Sequence, residues 1–202
     1  MKLYYSPGVC SLSPHIVMRE AGIPIELNKV NLESKQIEGG GDYTKINSKG
    51  SVPSLEVTAG QYLTEGPAIV QYLADQKPES GLVPKAGTLE RYRVQEWLNY
   101  ITSEMHKSFS PLFDKSLTAE HKQTWRTKLE KKFDWLTTQL EGKQYLMGEK
   151  FTVADAYLFT VLNWTNYVNI DLKRWPALAQ YQARVAERPK VREALQAEGL
   201  LQ

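Results

Sequence analysis

The sequence predicts a small α/β half, to about residue 78, followed by an all-helical half. Three observations carry this reading. Up to Pro78, short strand candidates closed by Pro or Gly alternate with short helical segments. From Thr88 onward, apolar residues recur at helical steps of three and four. Between the halves lies a stretch from Gln76 to Gly87 that holds Pro78, Gly81, Pro84 and Gly87, the composition of a linker. The units expected are residues 1–78, a linker at 79–87 and a helical unit at 88–202.

Lys2 to Ser6 is a compact strand candidate stopped by Pro7-Gly8. Ser11 is placed to cap a helix running to Gly22, with Pro14 in the first turn, where a missing N–H is harmless. Ile25 to Leu32 is strand-like, and the phase shift between the apolar pairs Ile25/Leu27 and Val30/Leu32 suggests a bulge or twist. After Gly39-Gly40-Gly41, a helical turn is expected from Asp42 to Ile46. Val52 to Val57 and Gln61 to Leu63 flank Thr58-Ala59-Gly60, a hairpin signal. Pro67 opens a helix carrying Ala68, Ile69, Tyr72 and Leu73. The order is βαβ followed by ββα, a small α/β layer.

In the second half, Leu89, Tyr92, Glu96, Asn99 and Ser103 form one stripe, with Trp97, Leu98, Ile101 and Met105 beside it. A second amphipathic helix is expected over Thr118 to Leu140, on Trp125, Leu129, Phe133, Leu136 and Leu140. Thr152 and Asp155 have capping-box spacing. The segment Ala154 to Leu162 after them is apolar nearly all round, which places it at the centre of its domain. Pro176 and Pro189 start two further helices.

The chain has 202 residues with a formal net charge of +2 and no basic block, so nucleic acid is not the expected partner. One cysteine, Cys10, excludes an internal disulfide and a Cys-rich metal site. His15, His106 and His121 are too dispersed for a zinc motif, and no metal is expected. No apolar run has the length of a membrane span, and the first residues lack a secretion signal. The expected location is the cytoplasm, where a lone thiol stays reduced.

Four places are candidates for chemistry. Cys10 sits between the first strand and first helix, where helix-terminal N–H groups favour a thiolate; the competing reading is a small buried hydrophobe. Val52-Pro53 is either an ordinary edge or a cis bond that turns the Val52 backbone toward a peptide ligand. Thr64-Glu65-Gly66-Pro67 is either a plain helix cap or a backbone grip for a carboxylate. His106 ends a helical stretch; it either complements the helix dipole or, with Asn99 and Ser103 on one polar face, marks a site.

Taken together, Ser6-Pro7-Gly8-Val9-Cys10-Ser11, Asn47-Ser48-Lys49-Gly50-Ser51-Val52-Pro53, Thr64-Glu65-Gly66, Trp97-Leu98-Asn99-Tyr100, Glu104-Met105-His106-Lys107 and Phe151-Thr152-Val153-Ala154-Asp155-Ala156 resemble the glutathione S-transferases, nearly end to end. A Cys after the first strand resembles the bacterial beta class. The resemblance implies a thioredoxin-like N-terminal domain, an all-α C-terminal helical bundle, glutathione as co-substrate and a homodimer. It implies that Val52, ahead of a cis Pro53, pairs its backbone with the cysteinyl part of glutathione. Glu65 and Gly66 would hold the γ-glutamyl end, and Lys35 would approach the glycyl carboxylate. Cys10 and His106 would lie near the sulfur. Asn99, Ser103 and Glu104 would line the cleft, partly from the neighbouring subunit. Tyr5 lies near the catalytic tyrosine of other classes but is not the main sulfur partner in this one. Many relatives have Ser where this chain has Gly66.

The implied reaction is attack of the glutathione thiolate on a hydrophobic electrophile, the chemistry of detoxification. Phe109, Phe113, Trp164 and Tyr167 are candidate walls for that electrophile's pocket. An alternative within the same fold is a glutathione-dependent thiol–disulfide oxidoreductase or peroxidase with Cys10 as nucleophile; a third reading is a non-catalytic binding module.

Overall fold

The computed structural model describes residues 1–24 and 26–201. Four strands, β1 (Lys2–Tyr5), β2 (Glu26–Lys29), β3 (Ser54–Thr58) and β4 (Gln61–Thr64), form one sheet in the order β2-β1-β3-β4. β2 runs parallel to β1, while β3 is antiparallel to both β1 and β4. The parallel pair requires a crossover, supplied by α1 (Leu12–Glu20). The expected hairpin forms around Ala59-Gly60, and α2 (Gly66–Asp75) follows with Pro67 in its first turn.

Two local expectations change. Ser11 does not cap α1: its hydroxyl accepts the Ser6 N–H at 3.1 Å and donates to the Ser6 carbonyl at 3.0 Å, tying both ends of the Pro7–Cys10 loop together. The strand expected to reach Leu32 ends at Lys29, and the expected position Ile25 lies outside the described residues. Leu27 packs on the main core, whereas Val30 is buried in a second, smaller cluster with Tyr4, Tyr43 and Val52. The apolar phase shift thus marks a chain leaving one cluster for the other.

The helical half contains α3 (Leu89–Tyr100), α4 (Lys107–Phe113), α5 (Ala119–Leu140), α6 (Val153–Leu162), α7 (Pro176–Ala186) and α8 (Pro189–Ala197). Every residue of α6 is buried, as its uniform apolarity predicts. A capping box joins Thr152 and Asp155 at its start. The Asp155 carboxylate accepts the Thr152 and Leu146 N–H groups, each at 2.8 Å, and the Tyr181 hydroxyl at 3.0 Å. Burial pushes Asp155 up to about 6 against these donors, which pull it down.

The two halves share one continuous apolar core, with α1 packed between α6 and α8. The connecting segment is packed as well: Leu82 and Val83 are buried. Arg91 on α3 clamps this segment, donating to both Asp75 oxygens at 2.6 and 2.8 Å and to the Pro84 carbonyl at 3.0 Å. Among the described residues, no helix is long and apolar enough to cross a membrane.

Candidate active site

His106 is expected at a helix end, but the helix does not stop there. A π-helical turn, Ile101–His106, joins α3 to α4 without a break. The wider turn displaces the helix face by part of a residue, a distortion common at functional sites. Lys132 of α5 holds the turn by donating to the Glu104 carbonyl at 2.9 Å, to the Glu104 carboxylate at 2.6 Å and to the Ser108 hydroxyl at 2.9 Å.

The turn brings His106 to the place, shared with Cys10, where two cavities meet. The more polar one, about 370 Å³, is lined by Cys10, Lys35, Lys49, Val52, Glu65, Gly66 and His106 among others. The second, about 380 Å³, is walled by Pro7, Gly8, Val9, Phe113, Trp164 and Tyr167. Val9, Cys10 and His106 border both.

Cys10 is a neutral thiol. Burial pushes it up to about 11, against the pull of the Cys10 and Ser11 backbone amides at the start of α1. The expectation that the helix start yields a Cys10 thiolate is therefore corrected: removing the sulfur from water outweighs two amide dipoles. The thiol donates to the Val52 carbonyl at 3.2 Å.

His106 is also neutral. Burial, with the Lys107 charge second, holds it at about 4. Its Nδ1 lies 2.7 Å from the Tyr157 hydroxyl of α6, and the Trp164 ring packs edge-on at 4.7 Å. Burial raises the Tyr157 phenol far above its ordinary range, so it keeps its proton and is able to donate it to Nδ1, the arrangement that leaves the imidazole proton on Nε2. That atom is not among the buried polar atoms lacking a partner, so it opens on the cleft.

The polar cavity fits a peptide with charged ends. The Val52–Pro53 bond is cis, and the Val52 N–H has no hydrogen-bond partner among the described residues. Glu65 holds φ 70° and ψ 115°, a left-handed backbone uncommon for a residue with a side chain, immediately before α2. Such strain at a helix start exposes amides to a ligand. A Cβ at Gly66 meets nothing within 4 Å, so the glycine is not demanded by packing. Lys35 donates to the Gly50 carbonyl at 2.9 Å, and its positive φ of 59° turns it into the cleft.

Other predicted residues lie elsewhere. Asn99, Ser103 and Glu104 are exposed and line neither cavity of their own chain. Ser103 donates back to the Asn99 carbonyl at 2.9 Å, and Glu104 pairs with Lys132. Tyr5 is buried in the core against His15, away from both cavities. Phe109 is fully buried behind Trp164 at 5.7 Å, so it supports the apolar wall without forming it.

Sequence reasoning missed Tyr157, Lys49 and Thr102. Tyr157 is hidden in the uniformly apolar α6, where nothing marks it as polar in use. Lys49, in the Asn47-Ser48-Lys49-Gly50 motif, reaches the Thr64 hydroxyl at 2.9 Å and the Glu65 carboxylate. Asn47 shapes that loop through the Ser51 carbonyl at 2.6 Å and the Lys49 N–H at 3.2 Å. Among the described residues, no three His, Cys, Asp or Glu side chains are grouped to hold a metal ion.

Comparison with known proteins gives a consistent picture. Residues 8–76 match the model for the glutathione S-transferase N-terminal domain, and residues 100–189 that for the C-terminal domain. The chain is 47% identical over 200 residues to glutathione S-transferase GstA of Escherichia coli O157:H7, covering 99% of this chain and 100% of that one. A beta-class glutathione S-transferase from Sphingomonas chungbukensis shares the fold at TM-score 0.96 and 45% identity, with full coverage of both chains. A sphingomonad glutathione S-transferase solved in complex with glutathione superposes at TM-score 0.96 and 44% identity, again over both whole chains.

Proposed function

The chain belongs to the glutathione S-transferase family and is a glutathione transferase of the beta type, and from that premise we propose how its residues divide the work. The carrying observation is the meeting of a polar and an apolar cavity at Cys10 and His106. Residues 1–78 supply most of the glutathione cleft and residues 88–202 the rest of it and most of the electrophile's wall, joined through 79–87. The Val52 amide takes the cysteinyl backbone. Glu65 and the Gly66 N–H receive the γ-glutamyl end. Lys35 draws the glycyl carboxylate.

The glutathione thiol starts near 8.5, so the site must lower it, at about 1.4 kcal/mol per pKa unit. Two neutral donors converge on the place where its sulfur would sit: the Cys10 S–H and the His106 Nε2–H. Both stabilise a thiolate by hydrogen bonding without competing for its proton. The Cys10 S–H donates a hydrogen bond to the Val52 carbonyl, and a tripeptide N–H taking that carbonyl frees the thiol to turn to the sulfur. The thiolate then attacks an electrophilic carbon held by Phe113, Trp164 and Tyr167. The thiol proton passes to solvent water, the new S–C bond takes the sulfur's electron pair, and the leaving group departs with the pair of the bond it breaks. A thiol raised to about 11 suits Cys10 as donor better than as nucleophile, which disfavours the oxidoreductase alternative.

The outward stripe of Asn99, Ser103 and Glu104 continues into the exposed Leu89 and Tyr92 of the same helix. This supports a homodimer in which the stripe faces the partner's cleft. A cytoplasmic setting, where the Cys10 thiol stays reduced, and a role in detoxification complete the reading. The test combines calorimetry of glutathione binding with conjugation assays on aryl halides, epoxides and hydroperoxides. Measurable glutathione affinity with turnover of at least one apolar electrophile is expected. Absence of glutathione binding would overturn the assignment of the polar cleft.

A further inference from the structure

The Pro7–Cys10 loop floors the electrophile pocket, yet Gly8 is gripped at both its N–H and its carbonyl by the helical half. The Gly8 N–H donates to Glu198 Oε2 at 2.9 Å. The Gly8 carbonyl accepts the Trp164 indole N–H at 2.8 Å. The grip requires a glycine: φ is +72°, and a Cβ would lie 3.3 Å from Leu200 Cδ2. We propose that Glu198 is a positioning residue for conjugation, fixing the loop that floors the electrophile pocket while touching neither substrate.

Glu198 lines neither cavity, and its side chain is completely buried. A buried carboxylate persists only where donors satisfy it. The donors form a chain with one direction. Arg19 Nε–H donates to His15 Nε2 at 3.2 Å, so the imidazole proton must sit on Nδ1. Nδ1–H then donates to Glu198 Oε1 at 2.9 Å, leaving Oε2 for Gly8. Arg19 is anchored in turn near Glu193, at 3.6 Å. Both Glu198 oxygens must therefore accept. Glutamine has the same shape but one acceptor and one NH₂, so it opposes a donor to either Gly8 or His15. His15 cannot relieve this by moving its proton to Nε2, because Arg19 faces that atom with an N–H.

The inference rests on the conjugation reading, and the experiment separates the two. Glu198→Gln is compared with wild type by steady-state conjugation of an aryl halide and by calorimetry of glutathione binding. Pro7 and Gly8 line only the apolar cavity, so the change should fall on the electrophile. Its kcat/KM is expected to drop about tenfold, mainly through KM, with glutathione affinity within about twofold. A general loosening of the fold would weaken both ligands alike.

The double variant Glu198→Gln with Arg19→Met removes the donor facing Nε2. His15 can then shift its proton to Nε2 and accept the glutamine NH₂ at Nδ1, while the glutamine oxygen takes Gly8. Electrophile KM is expected to return to within about twofold of wild type. Three results overturn the proposal: wild-type kinetics in Glu198→Gln, an equal loss of glutathione affinity, or a folded double variant with KM still raised. If neither variant folds, amide exchange of Gly8 in the wild-type protein decides: strong protection supports the clamp, and exchange at the rate of a free loop overturns it. Failure of wild-type protein to bind glutathione would instead sink the underlying functional reading.

Discussion

Replacing Tyr157 by Phe isolates the contribution of the His106 tautomer. The phenyl ring keeps its place on the buried face of α6 and its edge contact with His106, at 6.0 Å between centroids. Only the hydroxyl 2.7 Å from Nδ1 is lost. A hydroxyl donating to Nδ1 commits the imidazole proton to Nε2, where the cleft can use it. In Tyr157→Phe, Nδ1 faces an apolar wall without a donor, and the ring is free to place its proton on either nitrogen. A neutral hydrogen bond contributes about 0.5–1.5 kcal/mol net, which converts to a roughly 2- to 12-fold fall in kcat/KM. Part of that fall should appear as an upward shift of the pH at which bound glutathione ionises, read from thiolate absorbance. Nitrogen NMR of His106 should show a single Nε2–H tautomer in wild type and a mixture in the variant. Unchanged ionisation together with an unchanged tautomer would refute the assignment of Tyr157, whatever the melting temperature does.

Cys10→Ala removes one of two donors and no nucleophile, so conjugation should persist within about tenfold, while any mixed disulfide with glutathione disappears by mass spectrometry. Complete loss of conjugation would show that Cys10 does more than assist. In wild type, Cys10 should alkylate slowly at neutral pH, because burial keeps it protonated up to about 11. His106 has a folded pKa of about 4 against 6.5 when exposed, so the unfolded chain binds its proton first on acidification. Its contribution to stability is present in full above pH 6.5 and is lost progressively toward pH 4. The melting temperature of His106→Gln should therefore fall less steeply than wild type across that window, and parallel curves would contradict the burial argument. Gly66→Ser adds a hydroxyl at the start of α2 where a Cβ has room, so glutathione should bind a few-fold tighter by calorimetry. Asp155→Asn must turn an amide NH₂ toward one of the donors from Leu146 and Thr152, and should cost about 2–4 kcal/mol in chemical denaturation.

The residues legible without coordinates are those whose behaviour is set by near neighbours in the chain. Pro67, Pro176 and Pro189 mark helix starts because a missing N–H is free only there. Thr152 and Asp155 form their box across a single turn, and the α5 stripe is periodic enough to fix its extent. The family resemblance that the motifs carry grouped Cys10, Lys35, Val52, Pro53, Glu65, Gly66 and His106, and these line one cleft.

Tertiary structure alone decided charge and direction. Cys10 carries the sequence signature of a thiolate, but its pKa is set by surrounding bulk drawn from distant segments, and it becomes a donor to Val52, 42 residues away. His106 reads as a helix end because a π-turn leaves no periodic trace, and its orienting partner Tyr157 lies 51 residues further on. Asn99 and Ser103 share a polar face in sequence, but which side of the helix meets the cleft is fixed only when α5 packs against it through Lys132. The Gly8 clamp joins residues 190 positions apart. Periodicity reports which side chains lie together on one element; desolvation and hydrogen-bond direction depend on what the rest of the chain places against them.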